Sequence, residues 1–147
     1  MIAGLASGSG KTTVTLGLLR ALARRGKAPA AGKTGPDYID PGFLSAAAGR
    51  KAVNLDQFAM SKPLLAHLAA DQAGDTLIIE GAMGLFDGAS GSAGSSAALA
   101  KTLDIPVILV MDIRHTAQTA AMIAAGIAGL LPAGRIAGVI LNHVASP

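Results

Sequence analysis

The sequence predicts an α/β fold, a parallel sheet with helices on both faces, and three observations predict it. Short runs rich in Ile, Leu and Val alternate with alanine-rich stretches of helical spacing, the pattern of repeated βαβ units. The runs are apolar at consecutive positions, as strands covered on both faces must be. Polar residues collect where the runs end, and open α/β sheets bind ligands outside the carboxyl ends of their strands. At 147 residues the chain can bury one core and reads as a single domain, residues 1–147.

In chain order, Met1 to Ala6 reads as a short buried strand running into a glycine-rich turn. Val14, Leu18, Ala21 and Leu22 then follow helical spacing up to Gly26, a natural helix terminator. Ala28 to Lys33 is a weaker strand, because Pro29 cannot donate to a ladder. Thr34 to Gly42 is a loop, Phe43 to Ala48 a short helix closed by Gly49, and Asn54 to Met60 carries no clear signal. Pro63 to Ala70 is a helix with proline in its first turn, and Thr76 to Glu80 a strand ending in a carboxylate. Glycines at 81, 84, 88, 91 and 94 predict a loose loop, followed by a helix over Ser95 to Leu103. The most apolar strand, Pro106 to Met111, ends at Asp112; a helix over Thr116 to Leu131 stops at Pro132, and a last strand, Ile136 to Leu141, ends at Asn142.

Composition removes several function classes. The chain has no cysteine, so disulfides and thiolate metal sites are out. It is 51% hydrophobic with a mean hydropathy of +0.51, yet no apolar run approaches the roughly 18 residues of a membrane span. No charged leader with a cleavage site precedes the first strand, so the cytoplasm is the expected location and no membrane partner is expected. The net charge of +3 comes with only 3% aromatic residues, too few to stack bases, and Arg24, Arg25 and Lys27 sit where they offset a helix dipole. No nucleic-acid partner is expected.

The stretch Gly4-Leu-Ala-Ser-Gly8-Ser9-Gly10-Lys11-Thr12-Thr13 is a phosphate cradle. Small residues let successive backbone N–H groups face one concavity, and the following helix adds its positive end. Lys11 suits the β/γ-phosphates and the Thr12 hydroxyl their Mg²⁺. The motif glycine usual at position 5 sits one residue earlier, at Gly4. ATP and Mg²⁺ are the cofactors this cradle suits.

Two further stretches carry acids. Lys33-Thr-Gly-Pro-Asp37-Tyr38-Ile39-Asp40-Pro41 leaves the second strand with two carboxylates, and Glu80-Gly-Ala-Met-Gly-Leu-Phe-Asp87 leaves a later one with two more. Convergence of Asp37, Asp40, Glu80 and Asp87 beside a γ-phosphate demands cations among them, and Mg²⁺ is the oxygen-seeking one that ATP brings. Asn142 ends the last strand, either to read an adenine edge or as an ordinary turn residue. The histidines have no metal-ligand spacing.

Taken together, these three stretches resemble the cobyrinate a,c-diamide synthase family, glutamine-dependent amidotransferases of cobalamin biosynthesis that include a form acting on hydrogenobyrinate. The resemblance covers nearly the whole chain and is most specific at Gly35-Pro-Asp-Tyr-Ile-Asp-Pro41. It implies a phosphate-loop NTPase-type sheet like that of dethiobiotin synthetase. It implies ATP-dependent amidation of a corrinoid polycarboxylate through an acyl phosphate. Gly8, Ser9, Gly10, Lys11, Thr12 and Thr13 match the family's nucleotide loop. Asp37, Asp40, Glu80 and Asp87 match its metal and phosphate-transfer acids, with Thr12, Asp37 and Glu80 as metal ligands, and Tyr38 and Ile39 match the loop that faces the corrinoid. Family members carry a C-terminal glutaminase domain, so the chain reads as a truncated synthetase domain whose ammonia comes from a glutaminase domain or subunit; a homodimer is also compatible. Cobyric acid synthase and a dethiobiotin synthetase-like ligase are neighbouring readings. A partition or positioning ATPase is disfavoured by Ala6, where that class carries a signature lysine.

Overall fold

The computed structural model describes residues 1–72, 74–90 and 93–144. Six strands form one sheet: β1 (Ile2–Gly4), β2 (Pro29–Thr34), β3 (Val53–Leu55), β4 (Thr76–Glu80), β5 (Val107–Asp112) and β6 (Ile136–Asn142). They are ordered β3-β2-β4-β1-β5-β6 and every pair is parallel. The expected α/β class is the observed one. Five helices connect the strands: α1 (Lys11–Arg24), α2 (Asp40–Ala48), α3 (Lys62–Asp71), α4 (Ser96–Thr102) and α5 (Thr119–Gly129).

Strand periodicity divides the core in two. Ile2, Ala31, Ile78 and Val110 face one side with Leu19 of α1 and Leu44 of α2. Their immediate neighbours Ala3, Ile79, Leu109 and Met111 face the other, with Leu65 of α3, Leu99 of α4 and Ala120 of α5. Consecutive apolar residues are therefore required, since each of a pair lines a different layer.

Several element boundaries differ from expectation. β1 ends at Gly4, two residues early, because the chain turns there into the phosphate loop. β2 is fully buried despite Pro29; proline at the first residue of a strand costs no internal ladder bond. β3 was not expected, being three residues long and too short for a period to show. The second helix begins at Asp40, not Phe43, with Pro41 in its first turn. The helix after β5 spans Thr119–Gly129, shorter at both ends than expected.

The fully buried residues of α1 are Lys11, Thr15 and Leu19; of the expected face, Val14 and Leu22 are half-buried and pack against this core, while Leu18 and Ala21 are exposed. Thr15 can be buried because its hydroxyl donates to the Lys11 carbonyl at 2.8 Å, the i−4 bond open to helical threonines. The loop after β4, expected to be loose, is tied down in its first half. Gly81 N–H donates to Ile2 O, Leu85 N–H to Gly4 O and Ala97 N–H to Leu85 O, each at 2.8 Å, and Leu85 is buried. Gly91 lies outside the described residues. No described helix is long and apolar enough to cross a membrane.

Candidate functional site

Strand order and register assemble the site. β1 lies beside β4, and β4 beside β2, so the loops leaving these three strands share one rim. Lys33 and Glu80 are register partners across β2 and β4. The alternation that turns Ala31 and Ile78 toward α1 and α2 turns Lys33 and Glu80 the same way. The N-termini of α1 and α2, with Lys11, Thr12 and Asp40, open onto the same place.

The phosphate loop is closed on itself. Ser9 Oγ donates to the Ala6 carbonyl at 2.9 Å, and Lys11 Nζ donates to that same oxygen at 2.8 Å. Gly8 and Gly10 have φ of 80° and 88°, a region other residues enter at a cost. Gly10 is doubly constrained, since a Cβ there would lie 2.1 Å from Asn142 Nδ2. The displaced motif glycine has a packing reason: a Cβ on Gly4 would crowd the Lys11 stem and Ser9 Cβ at 3.1 Å. Thr13 is exposed on the first turn of α1.

The acid cluster gathers around Lys33, a buried cation whose role no local sequence pattern announces. Lys33 Nζ lies 2.6 Å from Asp40 Oδ2, 3.0 Å from Glu80 Oε1 and 3.9 Å from Asp37 Oδ2. Burial alone would lower its pKa, but hydrogen bonds to Asp40 and Glu80 and their charges outweigh it, and the pKa is raised. Thr12 Oγ1 donates to Glu80 Oε1 at 2.5 Å, joining the phosphate loop to the cluster. The Lys11 pKa is lowered, first by burial and then by Lys33, against the opposing charges of Glu80, Asp87 and Asp40. All four expected acids thus lie within electrostatic reach of one or both lysines.

Their individual duties differ. Asp37 Oδ1 accepts the N–H groups of Ile39 and Asp40 at 2.9 Å, so it shapes the loop leading into α2. Burial tends to raise its pKa, but these two N–H bonds and the Lys33 charge lower it. Asp87 Oδ2 accepts Gly84 N–H at 2.8 Å. Tyr38 and Ile39 stand 94% and 70% exposed beside the cluster. Asn142 donates through Nδ2 to the Ser9 carbonyl at 3.0 Å, bracing the phosphate loop from β6. Asn54, which carried no sequence signal, donates to the Asp37 carbonyl at 2.8 Å and holds that loop from β3.

Among the described residues no three histidine or acidic side chains stand close enough to hold a metal by themselves. Glu80 Oε2 is nonetheless buried with no hydrogen-bond partner among the described residues, an arrangement that costs free energy unless something else satisfies it. One carboxylate oxygen and a neighbouring threonine hydroxyl fit Mg²⁺, which takes one or two protein ligands and completes its shell with phosphate and water. Thr12 and Glu80 fit the ion.

The CobQ/CobB/MinD/ParA nucleotide binding domain matches residues 1–147. The chain is similar to hydrogenobyrinate a,c-diamide synthase of Rhodobacter capsulatus, with 55% identity over 99% of this chain and 35% of the relative. Against the enzyme of that name from Mesorhizobium japonicum, identity is 54% over 95% of this chain and 33% of the relative. The chain therefore spans about a third of the length of these relatives. Among solved structures, the signal recognition particle receptor FtsY from Elizabethkingia anophelis superposes with a TM-score of 0.60 at 21% identity, over 90% of this chain and 47% of the receptor, a likeness of fold.

Proposed function

Because this chain belongs to the CobQ/CobB/MinD/ParA nucleotide binding domain family, we propose that it is the ATP-binding synthetase part of a hydrogenobyrinate a,c-diamide synthase. The observation that carries this reading is the meeting of Lys33, Asp40 and Glu80 with Thr12 of the phosphate loop. A plain nucleotide switch has no need of so many carboxylates beside the γ-phosphate. The relatives at 54–55% identity supply the substrate class.

In this reading the loop N–H groups of Gly8, Ser9 and Gly10 bind the triphosphate, and Lys11 leaves the Ala6 carbonyl to neutralise its β/γ-oxygens. Thr12 and Glu80, with Asp37 nearby, would hold Mg²⁺, which when bound neutralises phosphate charge in the transfer. An acetate carboxylate of the corrinoid attacks the γ-phosphorus; a new P–O bond forms, the β,γ-bridging bond breaks and ADP leaves. Ammonia then attacks the acyl carbon, the C–O bond to phosphate breaks, and the amide forms with loss of a proton. Phosphorylation is needed because oxide is too poor a leaving group. Asp40 orients Lys33, and Asp87 adds negative charge near Lys11. A glutaminase domain or subunit supplies ammonia from glutamine, in the cytoplasm.

The test supplies the chain with ATP, Mg²⁺, ammonium and hydrogenobyrinate. ADP release is expected to require the corrinoid and to disappear in Lys11→Ala. ADP release indifferent to hydrogenobyrinate but stimulated by DNA or lipid vesicles would overturn the reading in favour of a positioning ATPase.

A further inference from the structure

The chain has one tyrosine, three phenylalanines and no tryptophan. Phe86 is half-buried, but Tyr38, Phe43 and Phe58 are exposed, at 94%, 58% and 69%. A fold this poor in aromatic residues exposes most of them, and Phe58 is fixed with particular care. Its own N–H donates to Asp56 Oδ1, and the preceding Gln57 donates to the Ser95 carbonyl, both at 2.9 Å. The ring lies against Gly94, whose φ is +76° and whose Cβ, if present, would fall 2.2 Å from Phe58 Cε2. The ring thus packs on bare backbone on its Gly94 side, and the residue stays 69% exposed.

Phe58 also divides two depressions. One, of about 160 Å³, runs from Phe58 past Pro36 and Met83 to Asp37 at the edge of the acid cluster. The other, of about 580 Å³, runs the opposite way and carries Lys62 and Lys101. Neither lysine forms an ion pair with a described carboxylate. Met83, half-exposed in the first depression, holds φ at 50°, a strained conformation for a non-glycine residue and one that accumulates at ligand-contacting segments.

We propose that Phe58, with Met83 and Pro36, is the bed for the flat apolar body of the substrate, and that Lys62 and Lys101 receive its outlying carboxylates. The proposal rests on the synthetase reading above. Its logic is charge and shape. A reacting carboxylate has to enter at the Asp37 end to meet the γ-phosphate, and a broad ring attached to it must lie on whatever adjoins that end. A soft thioether and an aromatic face suit a conjugated macrocycle. Carboxylates on its far edge then fall over Lys62 and Lys101, which leaves the near edge at the Asp37 end. This gives a fixed orientation with one edge presented for phosphorylation.

The experiment titrates the full chain with hydrogenobyrinate, followed by the pigment's absorbance, and with ATP in parallel. Phe58→Ala is expected to weaken hydrogenobyrinate at least tenfold while ATP affinity stays within twofold, which also shows that the variant is folded. Gly94→Ala, whose methyl displaces the ring, is expected to do the same without removing it. Lys62→Ala with Lys101→Ala is expected to weaken binding and to flatten its salt dependence, which a packing role would not do. Wild-type binding that survives all of these changes would overturn the bed and leave the synthetase reading standing. A wild-type chain that binds ATP and no hydrogenobyrinate would overturn both.

Discussion

Lys33 sits at the centre of the site's charge balance. The residue is 4% exposed and its ammonium pairs with Asp40 and Glu80, so removing it leaves two carboxylates facing each other in a poorly solvated place. Breaking a buried pair from one side costs about 3–5 kcal/mol, more than the intact pair contributes. Lys33→Met, which keeps the stem, is expected to lose about 3 kcal/mol in urea denaturation, with part of the loss recovered when Mg²⁺ and ATP are added. A variant as stable as the wild type would mean that the Lys33 ion pairs contribute nothing to stability. Asp37 makes a separate, pH-dependent contribution. Its folded pKa lies below the ordinary value of 3.8, so the fold favours its charged form. That stabilisation is fully present above 3.8 and is lost as pH falls through the folded value. Asp37→Asn is therefore expected to lower stability at neutral pH and to converge with the wild type in acid. Parallel curves across the acid range would remove Asp37 from the balance.

At the scale of the element, α4 shows how a short helix keeps the post-β4 loop in place. It has only seven residues, too few to be stable alone, and Ser95 caps it by accepting Ala98 N–H at 3.2 Å. Ser95 is also the residue to which Gln57 bonds, so one serine joins α4 to the loop bearing Phe58. Ser95→Ala is expected to cost about 1 kcal/mol and to raise amide exchange at Ala98, whose N–H the hydroxyl accepts; unaltered exchange would show that packing alone holds the helix. Elements also differ in how well the sequence announces them. The phosphate loop was legible because its parts are contiguous, and β4 and β5 because both faces are buried. Lys33 was not assigned because its importance arises from the register of β2 against β4, which no local pattern encodes. β3 was missed for its length, and with it Asn54. The fully buried residues of α1 were only partly legible because Lys11 and Thr15, polar by type, are buried by their bonds to Ala6 and Lys11 carbonyls.

Over the whole molecule, the two edges of the sheet are unequal. On one side β3 has three residues, and a short edge invites little further pairing. On the other, β6 has seven residues in alternating half-buried and exposed positions. Val139 and Leu141 pair with Leu109 and Met111, which lie in the larger core cluster, yet they remain 40% and 50% exposed. Met122 of α5 and Leu130, which follows it, add exposed apolar surface, at 73% and 72%. A long edge strand with apolar side chains and unpaired backbone groups is a template for another strand. In the 147-residue chain taken by itself, a second copy meets that description, because its own β6 offers the same edge. The 147-residue chain is therefore expected to self-associate with rising concentration in sedimentation velocity. Val139→Lys together with Leu141→Lys should hold it monomeric, since charges on an edge oppose pairing, while leaving ATP affinity unchanged because neither residue touches the phosphate loop. A wild-type chain that sediments as a monomer at every concentration would show that the β6 edge does not pair with a second copy.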